Sequence, residues 1–434
     1  MRRNSTILAT AALAALPGLA LAADPPAPAT DLAAATPPTT APAASSAPAP
    51  AAGSSDNVNY ELDTARPRPA GILPRGPVSL IDPLIDDVNK QLKDAMNLEL
   101  GLAYTSVWQR ATDGDIKDAL GADLDLFARW TVFSNPGCGN RGVLGLNGEY
   151  RHDVGNYAPR DLGDDFGSLW RTTNGYGVQD AALIQCWYEQ HFADDAAVLT
   201  IGKTDPDNFY NTNRYQSDST AFMSRMFSTN IARAHPSNGL GANLKVNLDK
   251  EFYVTGGLQD ANGDKIHSGF HTIDEHEFFT AAEVGWTPTF EGWGKGAYRF
   301  TVWHSDDRDE DEVGEDQGVG ISCEQEIGGG IVPFFRAGFA DGEATGVDTF
   351  IGGGVGLEGV IGSKKDLTGI GVGYGDPDDG QYDSQWGAEV FHRFQLAPDV
   401  QLTLGYQYIL APSYDSVAGD DPVGVFEIRV RISF

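Results

Sequence analysis

Residues 425–434 read VFEIRVRISF: Phe426, Ile428, Val430, Ile432 and Phe434 alternate with Glu427, Arg429, Arg431 and Ser433. Successive side chains of a strand point to opposite faces, so a period of two marks a strand with one apolar and one wet side. The same rhythm runs back to Asn97. Leu98, Leu100, Leu102 and Tyr104 alternate with Glu99, Gly101, Ala103 and Thr105, and Leu124, Leu126, Ala128, Trp130 and Val132 alternate with Asp123, Asp125, Phe127, Arg129 and Thr131. Farther on, Leu240, Ala242, Leu244, Val246 and Leu248 flank Asn243, Lys245 and Asn247.

A soluble sandwich also alternates, its apolar face being a core. The connections separate the two cases. About sixteen strands can be placed between residues 97 and 434, and short links near Asp194, Asp249, Gly328 and Pro398 alternate with long ones at 153–177, 205–238, 260–276, 305–314, 377–384 and 411–422. An even strand number with short turns at one end and long loops at the other is the plan of a transmembrane antiparallel β-barrel. Such a barrel can cross lipid because closure pairs every backbone N–H and C=O. The long link 205–238 is expected on the extracellular side, folded back into the barrel. A last strand that closes on an aromatic, here Phe434, resembles the signal by which outer-membrane barrels are recognised by their assembly machinery.

Ahead of the barrel, residues 1–22 place two arginines before a short apolar run ending Ala20, Leu21, Ala22, which reads as a secretory signal peptide. Residues 23–58 are nearly all Ala, Pro, Thr, Ser and Asp and are expected to be a disordered periplasmic linker. The segment 59–96 is expected to be periplasmic, with a short amphipathic helix at 83–96 that sets Leu84, Val88, Leu92 and Ala95 on one face and packs at the barrel rim, the alternative being a plug in the periplasmic mouth. Barrel residues then fill 97–434.

The chain carries 30 basic and 61 acidic residues, and loss of Arg2 and Arg3 with the leader takes its net charge from −31 to −33. That balance argues against nucleic-acid binding. Cys138, Cys186 and Cys323 are odd in number and not at metal spacing; either Cys138 pairs with Cys186, or all three are buried or lipid-facing thiols.

A channel needs a constriction whose side chains replace part of a solute's hydration. By the alternation, Arg129, Arg151, Arg299, Arg336, Arg393 and Arg429 point inward together with Glu149, Glu189, Glu283, Glu324, Glu358, Glu389 and Glu427. A wall of mixed sign suits a neutral polyhydroxylated solute, and Trp187 and Trp303 on the same face are candidates to stack on a sugar ring. The plain alternative is an ordinary water-lining wall held in ion pairs. In the long link, Arg214, Asp218 and Arg225 are candidates to narrow the passage, with Phe209, Tyr210 and Phe222 anchoring the loop. Packing is the expected role of Phe222, and solute contact that of Arg225.

The segment 202–247 carries Gly202, Lys203, Asp205, Phe209, Asn213, Asp218, Phe222, Asn230, Pro236 and Gly239. This pattern is similar to the signature region of the carbohydrate-selective (OprB-type) porins, and with the C-terminal strand pair the resemblance covers most of 97–434. It implies a sugar-permeable outer-membrane barrel, monomeric or trimeric, that takes carbohydrate solutes and needs no cofactor. The long Ala/Pro tract departs from that family. A general or anion- and organic-acid-selective channel is the first alternative, and an outer-membrane barrel enzyme the second.

Two further clusters are read as solvated loops. His267, His271, Asp274, Glu275 and His276 lack the spacing of a zinc helix. The acidic run 305–317 lacks the central glycine of an EF-hand, although it has the oxygens to bridge through a divalent cation to lipopolysaccharide. No Gly-x-Ser-x-Gly elbow occurs.

Overall fold

The computed structural model describes residues 54–64, 71–73, 76, 82–308, 313–414 and 421–434. The leader and the Ala/Pro tract up to residue 53 lie outside the described residues, as does part of the acidic run, 309–312.

Among the described residues seventeen strands form. The first eight are β1 (Leu98–Ala111), β2 (Asp118–Asn135), β3 (Asn140–Asp153), β4 (Gln179–Phe192), β5 (Ala197–Thr204), β6 (Gly239–Asn247), β7 (Phe252–Asp260) and β8 (Phe278–Trp286). After a two-residue β9 (Thr289–Phe290) at a turn come β10 (Gly294–Ser305), β11 (Asp316–Gln325), β12 (Ile331–Ala340) and β13 (Val347–Glu358). The last four are β14 (Leu367–Pro377), β15 (Gln385–Ala397), β16 (Val400–Leu410) and β17 (Val423–Ser433).

Leaving β9 aside, sixteen strands make the wall, each antiparallel to the next, and β17 returns to β1 in register from Ala103 opposite Ser433 to Ala111 opposite Val425. The sheet therefore has no free edge, as lipid requires. The expected transmembrane antiparallel barrel of sixteen strands is the observed one, because each hairpin is local and the period-two pattern admits only one face toward the interior.

Outward-facing Leu126, Ile201, Leu244, Val284, Ile370 and Leu404 are exposed on the bare chain, as is Ile428. A ring of such side chains around the whole wall is a lipid belt. Aromatic side chains border it at both ends: Phe252, Trp286, Phe290, Trp293 and Tyr298 in contact at the short-turn end, Tyr374 and Trp386 at the long-loop end. Cys186 and Cys323 also point outward on β4 and β11, Cys138 lies in the short turn between β2 and β3, and all three are free. The pairing of Cys138 with Cys186 is thus not made; Cys186 and Cys323 are outward-facing thiols as expected, while Cys138, exposed in the turn, is neither buried nor lipid-facing.

Among the described residues two helices precede the barrel, α1 (Val58–Thr64) and α2 (Asp82–Met96). Helix α2 packs at the start of β1, where the Leu100 N–H donates to Asn89 Oδ1 at 3.2 Å and the Trp130 indole donates to the Met96 carbonyl at 2.9 Å. This is the expected rim helix. Residues 54–64 differ from expectation. They lie inside the barrel, where Val58 and Leu62 are buried against Ala103, Phe127, Val143 and Trp187. Polar anchors hold the same segment: Arg129 donates to Asp63 at 2.7 Å and Arg431 donates to Glu61 at 2.5 Å. Ordered contacts therefore begin ahead of residue 58, at Ser54 and Asp56, because the averaged Ala/Pro composition of 23–58 hides the specific partners of these two residues, Asn208 and Lys265.

Placing a charge on the lipid belt should be costly. Ile428→Arg, at the middle of β17, is expected to lower the unfolding free energy in bilayers by about 2–4 kcal/mol, read by denaturant titration of the refolded barrel.

Candidate functional site

The interior is filled unevenly, and the filling follows from where glycine recurs on the inner face. In β14, Gly369, Gly371, Gly373 and Gly375 repeat at every second position. With Gly387 of β15 they leave a strip of bare backbone, onto which aromatic side chains of two long loops dock. A Cβ at Gly371 would lie 2.6 Å from Phe227, one at Gly387 2.6 Å from Trp170, and one at Gly369 2.9 Å from Phe222. These rings join Leu169, Tyr215, Met226 and Ile231 in a buried cluster against Phe334, Phe350 and Phe391 of the wall. The loops 154–178 and 205–238 are thereby folded into the barrel. Phe222 packs, as expected.

Buried wall arginines pin the second loop by its carbonyls. Arg336 donates to Phe227 O at 2.7 Å and Asn211 O at 3.0 Å, Arg393 to Thr220 O at 2.6 Å, and Arg429 to Asp218 O at 2.6 Å and Ala221 O at 3.0 Å. Wall carboxylates take its N–H groups: Glu389 accepts from Met223 at 2.8 Å and Ser224 at 2.9 Å, and Glu283 accepts from Asn211 at 2.5 Å. A guanidinium offers several donors in a fixed fork, which suits a loop whose carbonyls lack secondary-structure partners.

Every inward position of the wall expected from the alternation does face the interior, but most are not wetted. Arg336, Arg429 and Glu389 are each 1% exposed. Arg299 pairs with Glu324 at 3.1 Å, and Trp303 is packed beneath the loop with Tyr210 and Phe279. Asp218 accepts from the Gly175 N–H at 2.7 Å, and Arg214 is tied to Glu326 at 2.7 Å and Glu358 at 3.3 Å. For Asp218, Glu283, Trp303, Arg336, Glu389 and Arg429, then, the picture of a water-lined constriction is corrected to one of contacts that hold the loops, and for Arg299 to a buried ion pair within the wall. The alternation gives the direction of a side chain and cannot show what covers it. Arg129 and Glu149 meet the luminal segment, Arg129 through Asp63 and Asn59 and Glu149 through the cluster around Asp56.

What stays open lies on the other side. A cavity of about 240 Å³ runs between β4–β7, residues 57–59 and the start of the long loop. Trp187, Glu189 and His191 reach it from β4, Asn243 and Lys245 from β6, and Tyr253 and Thr255 from β7. Trp187 lies flat because Gly145 faces it; a Cβ there would come within 2.1 Å of the ring. Glu189 accepts from the Thr200 hydroxyl at 3.3 Å and is 3.3 Å from the His191 ring, and the Lys245 ammonium stands 4.2 Å above the Tyr253 ring centre. Of the expected site residues, Trp187 and Glu189 line this cavity; His191, Asn243, Lys245 and Tyr253 were missed, although the inward position of Lys245 was legible from its flanking leucine and valine.

Arg225 lies between the two inward loops, its N–H donating to the Arg171 carbonyl at 3.1 Å. Burial, followed by the neighbouring guanidiniums of Arg171 and Arg160, pushes it down to about 10. Among the described residues, Asp264, His267 and His271 come together on an exposed loop, without Asp274, Glu275 or His276.

A family model described as "Carbohydrate-selective porin, OprB family" matches residues 152–434. The chain belongs to that family. Two solved structures of Pseudomonas putida OprB share the porin's fold. The high-pH form has a TM-score of 0.67 at 17% identity, covering 80% of this chain and 97% of the other. The low-pH form has 0.53 at 16% identity, covering 80% and 96%. No curated protein sequence matches. Family and fold are those of a channel.

In this porin two of the signature residues fasten loops, Asn230 the long loop and Lys203, at the end of β5, the loop that follows β7. Asn230 donates to the Ala337 carbonyl at 3.1 Å, and Lys203 donates to the carbonyls of Lys265 at 2.9 Å and His267 at 2.6 Å.

Gly371→Val is expected to displace Phe227 and the loop with it, giving a larger single-channel conductance and a lower melting temperature. Acidification should act through His235, which Asp207, Arg233, Arg225 and Arg336 surround. Burial pushes its imidazole down to about 3. The unfolded chain then binds a proton that the folded one refuses, so this contribution to stability is lost as pH falls from about 6.5 toward 3. Between pH 7 and 4.5 the melting temperature of His235→Gln is expected to fall less than that of the unaltered protein.

Proposed function

We propose that this chain is an outer-membrane porin through which neutral mono- and oligosaccharides diffuse passively, by way of the passage along β4–β7. The carrying observation is the lining of that passage. Trp187 and Tyr253 contribute aromatic rings to it, while Asn243, Thr255, Glu189 and Lys245 offer donors and acceptors of both signs. A sugar presents apolar C–H faces and many hydroxyls, so such a wall replaces its hydration without demanding a net charge.

The lipid belt lies in the outer membrane, with the short turns toward the periplasm and the long loops outside. The strand ending at Phe434 serves the assembly machinery, and the outer acidic loops face lipopolysaccharide. Each chain closes its own barrel, so passage needs no second copy, whether the protein is a monomer or a homotrimer.

Planar-bilayer recording tests the reading. Current is expected to be blocked by glucose and longer glucosides, and Trp187→Ala is expected to weaken that block about 2–10-fold, the equivalent of about 0.5–1.5 kcal/mol for one ring face. A folded protein that never conducts, or whose current ignores sugars, overturns it. Arg225 with Arg160 and Arg171 favours a second reading, passage of organic anions. A strongly anion-selective reversal potential that collapses in Arg225→Gln would establish that instead.

A further inference from the structure

The luminal segment meets the wall at an unusual concentration of oxygen. Inward positions of β2 and β3 supply Asp123, Asp125, Asn147 and Glu149, with Asp125 directly opposite Glu149. Asp56, just ahead of α1, is set among them. Carboxylate oxygens of Asp56, Asp125 and Glu149 all lie within 4.8 Å of one another.

Two cations share this space. Arg151 is 2.9 Å from Asp123 and 2.7 Å from Glu149, and Lys265 is 3.0 Å from Asp56 and 3.4 Å from Glu149. The nearby Arg431 is engaged by Glu61. By formal charge, four carboxylates outnumber the two cations by two. Water hardly reaches them, since Asp56 and Asp123 are 5% exposed and Asp125 and Glu149 are 2% exposed.

A second observation is independent of charge. Asp123 Oδ1, Asp125 Oδ1 and the amide oxygen of Asn147 are buried with no hydrogen-bond partner. Asn147 is neutral and 0% exposed, and its amide nitrogen donates to the Asp56 carbonyl at 3.3 Å, which fixes it against the cluster. Buried acceptors left without donors are costly. A divalent cation removes both deficits at once. The free oxygens are hard donors, with no thiolate or imidazole among them, and Ca²⁺ binds oxygen at about 2.3–2.6 Å, so ligands on opposite sides of it stand about 4.6–5.2 Å apart.

We infer that Asp56, Asp125 and Glu149, with the Asn147 amide oxygen, form a Ca²⁺ site that fastens residues 54–64 to the inside of the wall. The ion couples a segment outside the strands to β2 and β3, and residues 57–59 of that segment line the cavity along β4–β7. This inference does not depend on which solute the channel passes.

Calorimetric titration of the full chain, folded in detergent and stripped with chelator, tests it with Ca²⁺ alone. The expected result is a saturable site that becomes at least tenfold weaker in Asp125→Asn and in Asn147→Leu. Loss of His271, on the exposed loop, is expected to leave that site unchanged. No saturable binding, or equal affinity in the unaltered protein and Asp125→Asn, overturns the inference. Should the wall variants fail to fold, Asp56→Asn, which lies outside the strands, gives the same comparison. Fastening is read separately: cleavage at Glu61 by a glutamate-specific protease is expected to be several-fold slower with Ca²⁺ than with chelator, and equal rates overturn the fastening.

Discussion

Everything in this molecule depends on backbone hydrogen bonds having to close on themselves. Inside a bilayer no water is available for a free N–H or C=O, so a strand edge cannot be left open. The pairing of β1 with β17 meets that requirement and makes a cylinder with two surfaces of opposite chemistry. Alternation then assigns each residue: Ile428 to lipid, Arg429 to the interior.

The interior raises the same problem again. Two long loops and the segment 54–64 enter it as irregular backbone, and their polar groups need partners that regular structure does not supply. Wall arginines and glutamates are those partners. Arg336, Arg393 and Arg429 hold carbonyls while Glu389 and Glu283 hold N–H groups, so charge that looks like solute-binding apparatus is largely structural. The apolar half of the work falls to Phe222, Phe227 and Trp170 on the glycine strip of β14 and β15. Because one side of the barrel is filled in this way, the open space is displaced toward β4–β7.

The strands were legible almost residue by residue, since hairpins are local and each carries its own two-residue rhythm. The inward direction of Glu189 and Trp187 was legible for the same reason. Trp303 was equally well directed yet lies under Tyr210, and nothing in a strand's own pattern tells which inward side chain a distant loop will cover. The glycines at every second position of β14 were a visible signal that a bulky group must press there, although not that it would be Phe227.

By itself the sequence determined the strand number, the inside and outside of each strand, and the alternation of short and long links, because these follow from backbone periodicity and turn length. Only the tertiary structure decided which inward residues meet solvent, that residues 54–64 lie within the barrel, and that Asp56 joins Asp125 and Glu149. Those facts rest on contacts between positions far apart in the chain, whose geometry no local pattern encodes.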